Sequence, residues 1–203
     1  MKKNFTLLFL VFTSIIFSQA GAPATPYYNG FNWTLTGMSL KSALATKITT
    51  THTNLIPYVW NATQATDIDP NNANNVLLMY GFSNNTCPTS ISDGNDHRSR
   101  NIFSNGGGNS CEWNREHVYA KSLGTPQLVD GATSSADSDA GEDAHNLRAC
   151  DVDRNNNRGS LKFAPGTGNS GNVTGGWYPG NEWKGDVARM MMYMYLRYPT
   201  QCL

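Results

Sequence analysis

The chain has 203 residues, with fifteen Lys and Arg against fifteen Asp and Glu, so its formal charge at neutral pH is zero. That balance excludes a protein that holds nucleic acid by bulk positive charge, and any grip on a polyanion has to come from a local site. The length suits one ordinary domain with its own core, and no linker divides it.

Lys2 and Lys3 precede an apolar run from Phe5 to Phe17, and Ser18-Gln19-Ala20 follows. The run is shorter than the roughly 18 to 20 apolar residues a membrane span needs, and a small-x-small site closes it, so residues 1–20 read as a signal peptide. No later stretch could span a bilayer. The remaining domain, 21–203, has 183 residues with thirteen basic and fifteen acidic side chains, a net charge of −2. Its expected location is secreted or periplasmic, with no membrane partner. Export favours cystine, and the four cysteines can pair in three ways. The expected pairs are Cys87 with Cys111 and Cys150 with Cys202.

Residues 21–36 are aromatic and loop-like. Leu40, Ala43, Leu44 and Ile48 then recur at helical spacing, which predicts a helix from about Ser39 to His52. Pro57-Tyr58-Val59-Trp60 and Val76-Leu77-Leu78-Met79-Tyr80 read as two short neighbouring strands, separated by a turn-rich segment from Asp67 to Asn72. Ser, Asn, Gly and Asp dominate 81–110, 131–141 and 166–176. Loops this long are uncommon in compact domains unless they serve function or are held by a ligand or disulfide. Near the end, Gly185-Asp186 opens a helix through Val187 to Leu196 that stops before Pro199. Its Met and Tyr stripe is core packing. Asp67-x-Asp69 and Asp137-x-Asp139 lack a full calcium-loop pattern and read as solvated turns.

Two segments concentrate catalytic residue types. The first is Trp113-Asn114-Arg115-Glu116-His117-Val118; the second runs Glu142-Asp143-Ala144-His145-Asn146-Leu147-Arg148 and on through Asp151 to Arg154-Asn155-Asn156-Asn157-Arg158-Gly159. A zinc site from Cys111, His117, His145 and Cys150 is conceivable on residue types, but there is no close Cys-x-x-Cys or His-x-x-x-His pair.

Three blocks, in order, carry a resemblance: Asn114-Arg115-Glu116-His117; Asp143-x-His145-Asn146-Leu147-Arg148 with Asn155-x-x-Arg158-Gly159; and Lys184-Gly185-Asp186-Val187-Ala188-Arg189. Together they resemble the endonuclease I family of secreted bacterial nucleases, within the ββα-metal or His-Me finger group, with weaker similarity back to about Tyr27. The resemblance implies an α+β fold in which a ββα-metal finger is embedded in a single mixed, loop-rich domain. It also implies a metal-dependent, largely sequence-nonspecific endonuclease that hydrolyses phosphodiester bonds of DNA or RNA, with nucleic acid as its partner and no obligate protein partner. Residue by residue, His117 falls on the general base, Glu116 on the metal carboxylate and Asn155 on the metal amide. Arg158 falls on a basic position that contacts phosphate, and His145 belongs to the motif without a catalytic role. The usual proline after Asn-Leu-Arg is Ala149 here. Members continue past the Gly-Asp-Val-Ala-Arg helix to a Gln-Gly-Asn-Arg-Asn-Pro-Phe-like block that does not follow, so the chain reads as incomplete at its C-terminus.

The chemistry asks for these groups on its own terms. Magnesium is a hard cation that prefers oxygen ligands and keeps several waters, so one carboxylate, one amide oxygen and substrate phosphate oxygens suffice for one Mg2+, with Ca2+ or Mn2+ as substitutes. Histidine, with an ordinary pKa of about 6.5, is substantially neutral near pH 7 and can take a proton from an attacking water. Neighbours on a regular strand point to opposite faces, so Glu116 and His117 cannot both face one site from an ideal strand. The expectation is that this segment leaves regular pairing at the site and that Asn155 comes from a helix packed across it. The alternative function is a secreted, non-catalytic module that binds extracellular polymers through exposed Trp33, Trp60, Trp177 and Trp183.

Overall fold

The computed structural model describes residues 27–53, 58–84, 97–108, 111–130 and 140–203. The chain divides into two compact units, one ending at Leu40 and one beginning at Lys41. The first unit contains an aromatic knot in which Tyr28 packs edge-on against Phe31 and Trp33, with ring centroids 5.7 and 4.9 Å away. Helix α1 (Gly37–Thr51) starts two residues before the expected boundary and ends one residue short of it.

The second unit is a mixed α+β assembly of short elements joined by loops. Helix α2 (Trp60–Thr66) begins where a strand was expected: residues 58–60 do not pair, and Trp60 is the first helical residue. Strands β1 (Ile68–Asp69), β2 (Asn72–Leu77) and β3 (Ser99–Asn101) form an antiparallel sheet with β2 in the centre. Strands β4 (Trp113–His117) and β5 (Leu147–Asp151) form a second antiparallel pair, and helix α3 (Val152–Arg158) follows β5 directly. The chain between β2 and the first long loop ties the sheets together, because Met79 N–H donates to the Ala149 carbonyl at 2.7 Å. The loop-like 166–176 segment contains most of a small hairpin, β6 (Gly171–Val173) with β7 (Gly176–Tyr178). Helix α4 (Lys184–Arg197) closes the unit and coincides with the Met and Tyr stripe.

Three apolar clusters support this arrangement. One gathers Met79, Tyr80, Val118, Cys150, Trp177, Trp183 and Val187; a second gathers Tyr119, Leu128, Met194 and Cys202; a third holds Val76, Leu78, Trp113 and Ala149. The Cys150–Cys202 pair expected from the sequence is overturned, since both are buried thiols and neither is in a disulfide. The cause is their placement in separate clusters, with the Cys150 thiol bonded to the Met79 carbonyl at 3.3 Å. Cys87, the partner expected for Cys111, lies outside the described residues.

Asp67 is not in a solvated turn. It is buried, accepts from Ala149 N–H at 2.6 Å and pairs with Arg148 at 2.8 Å, so it pins α2 to β5. Asp137 and Asp139 lie outside the described residues. Two of the four tryptophans expected on the surface, Trp177 and Trp183, are buried in the core, whereas Trp33 is exposed. Among the described residues, no helix is long and apolar enough to cross a membrane.

Candidate active site

The site is built on β4, β5 and α3. Strand alternation divides β4 into two faces. Trp113, Arg115 and His117 lie on one face: Trp113 packs edge-on against Trp60, while Arg115 and His117 both stack on the Tyr58 ring. Asn114 and Glu116 lie on the other, where α3 crosses. The pairing stays regular through His117↔Leu147, so the expected break in the strand does not occur. Glu116 and His117 nonetheless border one cavity, because β4 ends at His117 and the two faces meet at that end.

Helix α3 is fixed at both ends by its sequence. Asp151 caps it, its carboxylate accepting from Arg154 N–H at 3.0 Å, and the acid-first, base-last order of Asp153 and Arg158 suits the helix dipole. Gly159 ends it at φ 51, a left-handed conformation that favours glycine. Within the helix, residues three apart share a face. Asn155 and Arg158 therefore match the i, i+2 spacing of Asn114 and Glu116 on the strand. The Asn155 amide donates to Asn114 Oδ1 at 2.7 Å, and Arg158 Nη1 donates to Glu116 Oε1 at 2.8 Å.

Glu116 is buried, with only 2% of its surface exposed. Besides Arg158 it accepts from the Tyr80 hydroxyl at 2.9 Å. Burial pushes its carboxyl up to about 7, against the downward pull of the Arg158 charge and the two hydrogen bonds. Tyr80 itself sits at φ 69, a strained value for a non-glycine residue.

His117 is also buried, and its Nε2 lies 2.7 Å from the Gly141 carbonyl. A carbonyl only accepts, so the proton of the neutral ring sits on Nε2, and Nδ1 is left with a free lone pair. Desolvation lowers the imidazole pKa to about 4, with the Gly141 bond opposing, so the ring is neutral at pH 7. Gly141 has to be glycine, because a Cβ there would run into the Val129 carbonyl.

One cavity of about 320 Å³ is lined by Tyr58, Arg115, Glu116, His117, Lys121, Asn155 and Arg158, among others. It brings together all four site residues singled out in the sequence. Arg158, of which a phosphate contact is expected, turns its guanidinium inward. Its side chain is 1% exposed, Nη1 also reaches the His117 carbonyl at 2.9 Å, and Nη2 reaches the Val118 carbonyl at 2.7 Å. As placed, it braces β4 and balances Glu116. The cations with solvent access at the cavity are Arg115 and Lys121, the latter paired with Asp130 at 2.8 Å.

His145 stays outside this cavity. Its ring stacks against both His52 and Tyr193, which also contact each other with centroids 5.8 Å apart, and its Nδ1 donates to Asp143 Oδ1 at 2.9 Å. Asp143 also accepts from the Tyr193 and Tyr198 hydroxyls at 2.8 and 2.7 Å. Its own burial would raise its carboxyl, but the hydrogen bonds from His145, Tyr198 and Tyr193 outweigh that and bring it to about 2. This node ties the turn that leads into β5 to α4. Asn146, next in the motif, locks the same turn to the end of β4: its amide exchanges hydrogen bonds with the Tyr119 N–H and carbonyl, at 2.7 and 3.1 Å.

Sequence reasoning passed over Tyr58, Tyr80, Asn114 and Gly141. Asn114 carried a usable signal, since strand alternation puts it on the Glu116 face. The other three reach the site from elsewhere in the chain, and nothing local marks them.

The donor set fits a hard cation. With Asn155 Nδ2 committed to Asn114, its amide oxygen is the atom left for a ligand, and Glu116 is a carboxylate whose charge burial opposes and a bound cation would favour. Among the described residues no cluster of three His, Cys, Asp or Glu could hold a metal by itself, so phosphate oxygens and water would complete the sphere.

A profile of the family described as Endonuclease I matches residues 36–203. The chain is 42% identical over 190 residues to a protein named extracellular ribonuclease from Bacillus subtilis (strain 168), covering 87% of this chain and 57% of that one. It is 39% identical over 169 residues to a protein of the same name from Bacillus amyloliquefaciens, covering 80% and 50%. It thus spans only about half the length of these relatives. No solved structure matches.

Proposed function

The chain belongs to the endonuclease I family, and on that basis we propose that it is a secreted, magnesium-dependent endonuclease that hydrolyses phosphodiester bonds of DNA or RNA with His117 as general base. The observation that carries the reading is the shared cavity, where a neutral imidazole with a free Nδ1 stands beside a buried carboxylate and an amide oxygen. The names of the two Bacillus relatives support an extracellular, nucleic-acid substrate.

In this reading a water attacks the phosphorus, its proton passes to His117 Nδ1, and the bond from phosphorus to the 3′ oxygen breaks. Gly141 keeps the tautomer that makes Nδ1 the base, and Tyr58 holds the ring plane. Glu116 and Asn155 would hold one Mg2+, for which Ca2+ or Mn2+ could substitute, and Asn114 fixes the direction of the Asn155 amide. The metal, when bound, supplies Lewis-acid stabilisation of the charge that gathers on the phosphate and the leaving oxygen. Arg115 and Lys121 attract the phosphate to the rim, and Arg158 opposes the effect of burial on Glu116 and holds it in place. Such local cations answer the lack of overall positive charge.

Relaxation of supercoiled plasmid and breakdown of RNA in magnesium, both abolished by a chelator, tests the proposal. Intact substrates after prolonged incubation with magnesium would defeat it in favour of a polymer-binding module. That second reading has lost ground, because Trp177 and Trp183 are core residues.

A further inference from the structure

A second, larger cavity of about 740 Å³ adjoins the first, with Ser122 and Arg158 bordering both. At their common rim Ser122 Oγ bonds Ser160 Oγ at 2.6 Å. The volume lies within the roughly 300–1,000 Å³ of small-molecule sites. Its walls are largely apolar and aromatic, with Phe163, Tyr178 and Met191 among them, while Lys162 and Lys184 stand exposed at its edge. Among the described residues, no Asp or Glu side chain lines it. In a chain with no positive excess, two exposed lysines with no Asp or Glu side chain beside them favour an anionic ligand there.

A flat apolar surface bordered by cations is complementary to a nucleotide, whose base is apolar on both faces and whose phosphate is anionic. The bases of a duplex are stacked and paired, so none can enter the groove without being pulled out of the helix. We propose that this groove holds one or two unpaired nucleotides flanking the scissile phosphate, and that it makes single-stranded or locally unpaired polynucleotide the preferred substrate. The placement beside the scissile bond rests on the nuclease reading. The affinity for unpaired strands rests on the groove alone.

Binding measured in a chelator separates the two, since no cleavage then occurs. Fluorescence anisotropy of a labelled single strand of about ten nucleotides, and of a duplex of the same length, is followed with the intact protein and with Ala188→Trp. Ala188 is exposed on α4, lines the groove and takes no part in the proposed chemistry. The single strand is expected to bind the parent at least about 5-fold more tightly than the duplex, and Ala188→Trp to weaken single-strand binding about 10-fold while leaving duplex binding unchanged, as loss of one stacked base would. Lys162→Glu, on an exposed loop, is expected to act in the same direction without touching a packed helix. Equal affinity of the parent for both forms, or single-strand binding unaltered in both variants, would overturn the proposal. A parent that binds as described but never cleaves in magnesium would sink the nuclease reading and leave the groove assignment standing.

Discussion

Arg158 at the end of α3 reaches back to Glu116 on β4, with Nη1 2.8 Å from Oε1 and both side chains almost wholly buried. Tyr80 provides the other hydrogen bond to the same oxygen, so the carboxylate is held from two directions. Removing one partner of such a pair leaves an uncompensated buried charge, which costs about 3–5 kcal/mol. Arg158→Ala is therefore expected to lower stability by that order in denaturant titrations. Arg158→Lys should recover part of it, since lysine keeps the charge but cannot span Glu116 and the two carbonyls together. Stability unchanged in Arg158→Ala would show that the guanidinium is not the brace described.

Asn114 touches no substrate in this account and acts by directing the Asn155 amide. Loss of such an outer partner typically lowers metal affinity or activity roughly 10- to 100-fold. Asn114→Ala should raise the magnesium concentration for half-maximal cleavage by that order, with the rate at saturating metal largely retained. A variant with an unchanged magnesium requirement but a reduced maximal rate would place Asn114 in some other role.

Asp143 makes stability depend on pH with a definite sign. Its folded pKa of about 2 lies below the ordinary value of 3.8, so the stability it contributes is full above about pH 4 and is lost as the pH falls towards 2. The difference corresponds to roughly 2 kcal/mol. Unfolding free energies measured from pH 6 down to pH 2 should fall by about that amount more in the parent than in Asp143→Asn. Parallel curves for the two proteins would refute the assignment.

The thiols give a simple count. Cys150 and Cys202 are buried thiols outside any disulfide, and we keep the Cys87–Cys111 link as a proposal. Thiol titration without reductant should then find no reactive cysteine in the native protein and two after denaturation. Four reactive thiols after denaturation would remove the proposed link, and none would restore the Cys150–Cys202 pairing.

Much of the site could be read from the sequence because it is local. Glu116 and His117 are neighbours, and Asn155 and Arg158 share one turn of helix, so motif spacing alone brings the set to two short segments. Helices α1 and α4 were legible through their 3.6-residue periodicity. The 57–60 segment misled because aromatic and branched residues favour strands only where they pair. Here Tyr58 serves the His117 ring and Trp60 starts a helix. Cysteine connectivity was illegible, since it depends on which cluster each thiol joins. The three internal acceptors of Arg158 were not legible either, because charge alone does not say which groups a guanidinium meets.

The most direct test of the account compares His117→Ala and Glu116→Ala in single-turnover cleavage of labelled nucleic acid across a magnesium titration, with metal binding followed in parallel. His117→Ala should lose roughly 10²- to 10⁴-fold in rate at every magnesium concentration and bind metal as the parent does, because the imidazole acts on the water. Glu116→Ala should recover partly as magnesium rises. Equal loss of metal binding in both variants, or a His117→Ala protein that cleaves as fast as an active parent, would contradict the assignment of His117 as base and Glu116 as metal ligand.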